Sequence, residues 1–523
     1  AGLDQIKINA PAGVSNATIT LNGVVQTPVL ANVQAIPNRM PNDIPTSSVG
    51  MYIDTSGINY TRPISNIGAL AGLDEADLII GTEATKYTNS KYIQLSDEMI
   101  EPYNDMIRTS GIETWSIYSG SLTWMASITQ QPDFTIRNAY LAKVPYTVYA
   151  SDKDTTRDTY NFADGLEQRY GVDWYGDRGY REKELFDKLN SIGNNERVLL
   201  LQAYDEMMGH QYANTQQRIN STGRILDKEF SYLKGEWQTA SKESNKMKIF
   251  GSRDEYKTDT AGIIDYTSNA YGVAYVNEDE TIKLGNSTGW YLGAVNNSFK
   301  FKDIGKSKED STMLKAGVYR AKAFDDNGSL QWTIAGEGFV TRSDMHRKFL
   351  VVDEIFNAES TYYTYGAAMK NEISKNFRAS ERFSIVPYGS LKLEYGRTGN
   401  IKEKVGEMRL EVKSNDYFSV KPEVGVEFKY KQPMAVKTNL IASLGIAYEN
   451  ELGKVGDVKN KARVAYTEAD WFNIRGEKED RSGNFKADLK LGIENTRFGV
   501  TFNAGYDTKG ENIRGGIGLR AIF

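Results

Sequence analysis

From about Lys246 to Phe523, the sequence alternates apolar residues with polar or charged ones at every second position, in run after run. Successive side chains of a strand point to opposite sides, so each run has an apolar face and a charged face. Half-buried strands of soluble proteins also alternate, but they rarely place a charge at every second position over about ten residues. A transmembrane β-barrel does, because one side of its wall meets lipid and the other a wet lumen. The run FKADLKLGIEN shows the pattern, with an apolar face of Phe485, Ala487, Leu489, Leu491 and Ile493.

Twelve runs of this kind follow one another along the second half of the chain. They lie near residues 246–253, 261–277, 287–302, 312–324, 328–345, 358–376, 382–397, 417–431, 435–451, 484–494, 496–507 and 511–523. An even number of antiparallel strands closes into a barrel without an open edge. Some connections are short, as at Gln432–Pro433, whereas 398–416 and 452–483 are long and charged, which is typical of the two sides of such a barrel. The sequence therefore predicts a mainly β chain with a 12-stranded antiparallel transmembrane β-barrel, whose bore suits one helix of about 10–12 Å.

The composition excludes several classes of catalytic and metal site. The chain has no cysteine, so it cannot hold a disulfide, a thiol nucleophile or a thiolate zinc site. With only His210 and His346, it cannot build a multi-histidine metal centre. Residues 54–57 (DTSG) contain the residue types of an aspartic-protease loop, but an inserted residue breaks that motif. An Asx turn explains the DTSG sequence better. The net charge of −5 is dispersed and leaves no basic surface for nucleic acid. We expect a protein that is not an enzyme and has no cofactor, no metal and no nucleic-acid partner.

Residues 181–233 differ from the rest of the chain because they contain no proline and many helix-forming residues. Before Gly209 one face of this segment is apolar, and after Gly209 the segment is polar on every side. Such a helix is normally not stable alone. Two interpretations stay open: a solvated linker helix, or a helix inside a water-lined lumen, where Gly209 to Leu233 would span roughly 37 Å.

Residues 1 to about 180 hold short strand-like runs separated by Gly, Asn, Asp and Ser. Such runs fit the end of a parallel β-solenoid with its capping segment, or a compact β-rich domain. The chain begins at Ala1 without a methionine or a signal peptide, so we interpret it as the C-terminal part of something longer.

This order of segments resembles the C-terminal region of type Va autotransporters, and the resemblance covers roughly residues 185–523. Four segments carry it: VLLLQAYDEMMGHQYANTQQRI (198–219) looks like the linker helix of that family, KMKIFGSR (246–253) like its first barrel strand, VPYGSLKLEY (386–395) like a mid-barrel strand, and GGIGLRAIF (515–523) like its terminal strand. In the terminal strand, Gly518 and Phe523 match the assembly signal of the family. The Tyr- and Lys-rich style of the sequence also resembles large fusobacterial surface adhesins of this family.

The resemblance implies three domains: residues 1–180 as the membrane-proximal end of an exported passenger with an autochaperone role, 181–233 as the linker helix with its C-terminal half inside the barrel, and 234–523 as the translocator barrel. It implies an outer-membrane protein that exports and anchors its own N-terminal passenger, an adhesin exposed at the cell surface. The expected partners are outer-membrane lipid, the barrel assembly machinery, periplasmic chaperones and a surface receptor of a host or bacterial cell, and the barrel is expected to be a monomer. Two alternatives stay open: an outer-membrane channel with an N-terminal extension, and a soluble β-rich glycan-binding protein.

The residues expected to work in this arrangement lie on the helix and on the lumen face of the strands. Helix residues Arg218, Arg224, Asp227 and Lys228 are expected to pair with the lumen charges Glu427, Lys429, Lys486, Asp488, Lys490 and Glu494. The candidates for aromatic girdles at the membrane interfaces are Trp290, Trp332, Tyr362, Tyr363, Tyr365 and Trp471. Because some members of the family release their passenger at a linker asparagine, Asn194 and Asn195 are candidates for a cleavage site.

Overall fold

The computed structural model describes residues 6–7, 19–21, 24–26, 50–63, 75–150, 156–176, 179–234, 243–258, 260–280, 285–455, 460–474, 476 and 482–523. The chain forms two compact units. The first unit comprises residues 1–207, 350–356 and 466–472, and the second comprises residues 208–349, 357–465 and 473–523. The segment predicted as one linker, 181–233, is therefore divided between the two units.

The first unit combines short strands with helices. Its strands are β1 (Ile6–Lys7), β2 (Ile19–Leu21), β3 (Val24–Gln26), β4 (Gly50–Ile53), β5 (Glu75–Ile80), β6 (Tyr92–Gln94), β7 (Thr114–Ser119), β8 (Trp124–Gln130) and β9 (Ile136–Lys143). Its helices are α1 (Asp97–Ser110), α2 (Asp158–Arg169), α3 (Tyr180–Asn190) and α4 (Arg197–Met207). No helix in the described ranges is both long and apolar enough to span a membrane.

Two sheets of three or more strands organise the described part of the first unit, beside the two-stranded pair of β2 and β3. Strands β4, β5 and β7 pair in parallel, with β1 antiparallel at the edge, and β6, β9 and β8 form an antiparallel sheet. The connection from β5 to β7 contains α1, whose residues Ile100, Tyr103, Met106 and Ile107 are buried at helical spacing. The parallel pairing is of the kind predicted for a β-solenoid, but the connection contains an amphipathic helix beside β6, which that prediction did not include.

A buried lysine in the first unit depends on one carboxylate. The Lys143 side chain is fully buried, and its Nζ lies 2.5 Å from Glu167 Oε2 and 3.6 Å from the ring centroid of Tyr146. Burial lowers the pKa of Lys143 to about 8, and the charge of Glu167 opposes that shift. Since this pKa lies below the ordinary value of 10.5, the unfolded chain binds more protons between about pH 8 and 10.5. The contribution of Lys143 to the free energy of unfolding therefore rises with pH in that window.

Replacing Glu167 with glutamine is expected to destabilise the first unit by about 3 kcal/mol at pH 7, because the buried ammonium group loses its main counter-charge. Guanidinium unfolding at pH 7 and pH 10 tests this, and the loss should be smaller at pH 10, where Lys143 is largely neutral. Glu101→Gln is the matched control, because Glu101 pairs with Arg108 at the surface. Equal losses in the two variants would contradict the prediction.

The second unit is a β-barrel. Its wall strands are β10 (Glu243–Tyr256), β11 (Tyr266–Glu280), β12 (Ser287–Phe301), β13 (Lys308–Ala323), β14 (Leu330–Val351), β15 (Glu354–Lys375), β17 (Phe383–Thr398), β21 (Asn415–Ala435), β22 (Thr438–Glu449), β25 (Asn484–Asn495), β26 (Phe498–Asp507) and β27 (Asn512–Ile522). Shorter strands between them are β16 (Phe377–Arg378), β18 (Ile401–Lys402), β19 (Val405–Gly406), β20 (Leu410–Val412), β23 (Asn460–Val464) and β24 (Phe472–Ile474). One helix, α5 (Thr215–Lys234), precedes the first wall strand.

The wall strands pair antiparallel in chain order, and the barrel closes between its first and last strands. Lys246 of β10 lies opposite Ile522 of β27, and Glu255 lies opposite Ile513. The two strands flanking β16 pair directly, with Thr364 opposite Thr398. The mainly β fold with a closed 12-stranded antiparallel barrel, predicted from twelve alternating runs, is confirmed.

The period-two pattern determines which side chains face the lumen. In β13, Glu309, Met313 and Lys315 are buried, whereas Leu314 and Val318 of the outer face are more than half exposed. The middle of β13 thus turns Lys315 inward and apolar residues outward, whereas the charges exposed on the outer face, Lys308, Asp310, Arg320 and Lys322, lie toward the strand ends.

Two of the predicted girdle residues lie elsewhere. Tyr362 shares the inward face of β15, where its side chain is buried and its hydroxyl donates a hydrogen bond to Glu309 Oε2 at 2.6 Å. Its neighbours Tyr363 and Tyr365 are more than half exposed, as alternation requires. Trp471 lies in the segment 466–472, which is part of the first unit and not of the wall.

Candidate functional site

The barrel lumen contains α5, and this position explains a helix that is polar on every side. The helix is about 30 Å long. Its buried residues are Thr215, Gln216, Arg218, Ile219, Ser221, Thr222, Gly223, Ile225, Leu226, Glu229, Phe230 and Leu233. A buried charge is tolerated only when it is paired, so the lumen must supply partners for the charges of the helix. Of the two interpretations left open by the sequence, the structure therefore favours the lumen helix.

Asp227, on α5, binds two lysines of the barrel wall. Its carboxylate oxygens lie 2.6 Å from Lys315 Nζ and 2.7 Å from Lys392 Nζ. Both ammonium groups also lie 3.3 Å from Glu337, and Lys392 lies 3.0 Å from Glu394. These five residues, the central cluster, tie the helix to strands β13, β14 and β17 through charge-assisted hydrogen bonds.

Arg218 forms a fully enclosed ion pair with Glu309. The Arg218 side chain is 0% exposed and that of Glu309 is 1% exposed. Arg218 Nε and Nη2 donate to the two carboxylate oxygens at 2.9 and 3.0 Å, a bidentate arrangement. Tyr362 donates to the same carboxylate, and Arg218 Nη1 donates to the Gln211 carbonyl at 2.8 Å. The pair therefore positions both the helix and the segment before it.

A third group of charges joins α5 to the last three wall strands. Arg224 Nη1 lies 2.7 Å from Asp507 Oδ2, and Arg514 lies 2.7 Å from Asp507 and 3.0 Å from Asp488. Lys228 of the helix also binds Asp488. We call Arg224, Lys228, Asp488, Asp507 and Arg514 the seam cluster. Positive and negative groups alternate through it, so each charge meets the opposite sign.

Gly518 makes room for another contact between wall and helix. Lys248 Nζ lies 2.6 Å from Glu229 Oε2 of α5, and both side chains are nearly completely buried. A Cβ atom at position 518 would lie 2.2 Å from Lys248 Cε. A larger residue there would displace Lys248 from Glu229.

The backbone of Phe523, the other residue of the predicted assembly signal, exchanges hydrogen bonds with Asn245. The recognition of Gly518 and Phe523 during assembly stays a prediction.

The apolar residues of α5 pack against a glycine of β12. A Cβ at Gly293 would lie 2.7 Å from Phe230 Cζ and 2.8 Å from Leu226 Cδ2. Phe230 also packs on Tyr291, with 4.5 Å between the ring centroids. The missing side chain at position 293 thus sets how closely the helix approaches the wall.

Gly293→Val is expected to push α5 away from the wall and to cost about 1–3 kcal/mol through overpacking. The measurement is the temperature at which the compact barrel band converts to the unfolded band on a gel, and this temperature should fall. Gly336→Val is the matched control, because nothing lies within 4 Å of a Cβ at that position. A Gly336 variant as unstable as the Gly293 variant would disprove the packing argument.

Two long barrel loops fold over the segment that precedes α5. We call residues 401–412 and 460–464 the loop cap, in which β18 pairs with β20 and β20 with β23. The buried Glu403 accepts hydrogen bonds from Arg347 Nε at 2.7 Å and from the Tyr212 hydroxyl at 2.9 Å. Asn460 Nδ2 donates to the Tyr212 carbonyl at 2.7 Å. The loop cap therefore holds Tyr212 by its side chain and its backbone.

The four predicted helix residues all contact wall charges, but only Lys228 does so with a predicted partner, Asp488. The other predicted lumen residues lie on the inner face. Most of them pair with other wall residues: Lys486 Nζ with Glu423 at 2.7 Å and Glu449 at 3.0 Å, Lys429 with Glu427 at 3.7 Å, and Glu494 with Arg520 at 3.5 Å. Lys490 Nζ instead lies over α5, 4.5 Å from the ring centroid of Tyr232. Sequence reasoning missed the wall partners Glu309, Lys315, Lys392, Asp507 and Arg514. Alternation places all five on the inner face, but it does not say which of them meets which residue of the helix.

Asn194 and Asn195 lie in the turn between α3 and α4 of the first unit. Asn194 Nδ2 donates to the Ser119 carbonyl, and cleavage at these residues stays a prediction. In the same unit, Ser56 N donates to Asp54 Oδ1 at 2.8 Å, which is the predicted Asx turn. Within the described part of the chain, no group of three or more His, Asp or Glu residues is placed to hold a metal ion.

A closed antiparallel barrel of twelve strands, with a helix of its own chain in the lumen, defines the class of helix-filled β-barrels of the outer-membrane type. Residues 246–505 match the protein family described as Autotransporter beta-domain. This match supports an outer-membrane translocator, and an autotransporter barrel fold implies insertion into the outer membrane.

Several solved structures are similar to this chain. The translocator domain of autotransporter NalP from Neisseria meningitidis is 15% identical, over 59% of this chain and 98% of that chain, with a TM-score of 0.44. The beta domain of the Bordetella autotransporter BrkA is 12% identical, over 54% and 99%, with a TM-score of 0.38. The transport unit of autotransporter AIDA-I from Escherichia coli is 11% identical, over 61% and 98%, with a TM-score of 0.34. No curated protein sequence matches the chain.

Proposed function

We propose that this chain is an outer-membrane autotransporter translocator that exports and anchors its own N-terminal passenger. The observation that carries the proposal is the position of α5. The helix lies in the lumen and ends at Lys234, and the first wall strand begins at Glu243. The chain on the N-terminal side of the barrel is thus joined to the wall by a segment that occupies the pore.

The charges of the lumen suit both steps of this function. A lumen lined with charged residues stays wet, so an extended polar chain can move through it without losing its hydration. Once α5 occupies the lumen, the central cluster, the seam cluster and the Arg218–Glu309 pair bind it in place. These contacts then anchor the passenger, and α5 fills the pore.

We further propose that residues 1–180 are the membrane-proximal end of the passenger and help it to fold outside the cell, and that the passenger is a surface adhesin. The adhesin role rests on the sequence resemblance to fusobacterial surface adhesins. The proposal includes a monomeric barrel in the outer membrane, delivered by periplasmic chaperones and by assembly machinery that reads Gly518 and Phe523. It also includes a receptor on a host or bacterial cell.

Surface display of the first unit tests the export function. Intact Gram-negative cells that produce the chain behind a cleavable secretory signal peptide and an epitope tag before Ala1 are expected to bind the antibody and to lose the tag on protease treatment. The matched control lacks residues 246–523 and should keep its tag inside the cell. A tag that the antibody reaches only after cell lysis would contradict the proposal.

Conductance distinguishes the translocator from the outer-membrane channel. Because α5 fills the lumen, the purified chain in a planar bilayer should show only a low and noisy conductance. A steady, large conductance would favour the channel.

A further inference from the structure

One exposed sheet face in the first unit consists, by register, of eight uncharged residues, and Arg137 is exposed beside it at the bulge of β9. Strands β6, β9 and β8 bury one face, which includes Trp124, Ala126, Ala139 and Leu141, and turn the other to solvent. By register, the open face consists of Tyr92, Gln94, Met125, Ser127, Thr129, Asn138, Tyr140 and Ala142. A quarter of all residues in this chain are charged, and the solvent faces of antiparallel sheets are normally rich in charge. We call these eight residues the uncharged face.

Two tyrosines form the aromatic part of the uncharged face. The rings of Tyr92 and Tyr140 stack with 5.5 Å between their centroids and 27° between their planes. Tyr92 is 55% exposed, so the side of its ring that is turned away from Tyr140 is open to solvent. Met125, 49% exposed, extends the apolar surface in the same row of the sheet.

A ladder of amides and hydroxyls lies beside the aromatic pair. Gln94 Nε2 donates to Asn138 Oδ1 at 3.3 Å, and Asn138 Nδ2 donates to Thr129 Oγ1 at 3.1 Å. These bonds cross all three strands and orient the amides before any ligand binds, which reduces the entropy cost of binding. Each amide and hydroxyl keeps further capacity to donate or accept.

We propose that the uncharged face binds a neutral oligosaccharide. This inference rests on the proposed function, which places this unit at the cell surface. A pyranose ring has an apolar C–H face that packs on the negative face of an aromatic ring, and hydroxyl groups that both donate to and accept from amides. Nucleic acid and acidic glycans bind through several cations, whereas β9 exposes a single cation, Arg137, beside this face. A peptide that extends a sheet binds along the backbone of an edge strand and not across a side-chain face. A neutral glycan is the partner that matches aromatic rings, amides and eight uncharged side chains together.

Binding of defined hexasaccharides to the full chain in detergent micelles tests the proposal. The probes are cellohexaose, laminarihexaose, maltohexaose, chitohexaose and, as the charged comparison, a heparin hexasaccharide. We expect saturable binding of at least one neutral probe and no binding of the heparin probe. Tyr92→Ala and Tyr140→Ala should each weaken the binding about tenfold, because each removes a stacking surface. Tyr92→Phe keeps the ring and should bind within about threefold of the original chain.

Tyr87→Ala is the matched control, since Tyr87 is 71% exposed on the same unit but lies outside the uncharged face. The proposal is overturned if no neutral probe binds at millimolar concentration, if only the heparin probe binds, or if Tyr87→Ala weakens binding as much as Tyr92→Ala. Hydroxyl-radical oxidation of Tyr92 on intact cells is a second readout, and protection there by another protein segment would also overturn it. Binding uses purified protein and display uses cells, so a failure of export and a failure of this inference give different results.

Discussion

Replacing Arg218 with methionine is expected to lower the free energy of unfolding of the barrel by about 3–5 kcal/mol, because the Glu309 carboxylate then stays buried without its counter-charge. The carboxylate is 1% exposed and would keep only hydroxyl donors, from Tyr362 at 2.6 Å and Ser311 at 3.4 Å. The Gln211 carbonyl would also lose the donor that holds it. Guanidinium unfolding in detergent micelles measures the loss.

A double-mutant cycle makes this prediction specific to the pair. Adding Glu309→Gln to Arg218→Met should recover more than half of the loss, because a neutral amide can be buried and can still accept the Tyr362 hydroxyl. Arg342→Met is the matched control, since Arg342 is 59% exposed and lies 3.4 Å from Asp344. A double variant with the summed loss of both single variants would show that the two residues do not act as a pair.

Replacing Glu403 with glutamine is expected to release the loop cap from Tyr212 at a cost of about 3–5 kcal/mol, because Arg347 then stays buried without a counter-charge. Arg347 is 0% exposed, and its Nη2 also donates to the neutral Met408 carbonyl at 2.9 Å. Hydrogen exchange of the cap amides measures the effect, and that of Leu410 N, which donates to Glu403 Oε2 at 2.8 Å, should speed up at least about tenfold.

Glu411→Gln is the matched control for the loop cap. Glu411 lies in the same loop strands, and its pair with Arg463, 3.3 Å apart, is partly exposed. Exchange within α5 should stay slow in both variants, because Asp227 and Arg218 still bind the wall. If the cap amides exchange equally fast in the two variants, the buried pair of Glu403 and Arg347 does not hold the cap.

The barrel was predictable because strand alternation is a local property. The run 484–494 was predicted as a strand and β25 spans Asn484–Asn495, since side-chain direction in a strand is set residue by residue. The same logic places Lys486 and Asp488 on the inner face. It says less where a run is too short to show a period, as in β4 and β5: their parallel pairing fits the predicted solenoid, but the helix α1 between β5 and β7 was not predicted.

The helix in the lumen was predictable as a possibility, because a helix polar on every side needs an unusual environment. The wall residues that pair with the helix were not predictable. Arg218 and Glu309 are 91 residues apart in the chain, and Asp227 and Lys392 are 165 apart. Which inner-face charge meets the helix depends on strand tilt and stagger around the whole ring, and no local pattern encodes these.

The sequence by itself determined the twelve strands, their two faces and the polar helix, because each follows from the spacing of residue types along a short stretch. Only the tertiary structure decided that Asp227 lies between Lys315 and Lys392, that Tyr362 faces inward to Glu309, and that the loop cap holds Tyr212. Those contacts join residues that are far apart in the chain, and they exist only when the barrel closes around the helix. The charges of the lumen can be counted from the sequence, but closure of the barrel pairs them.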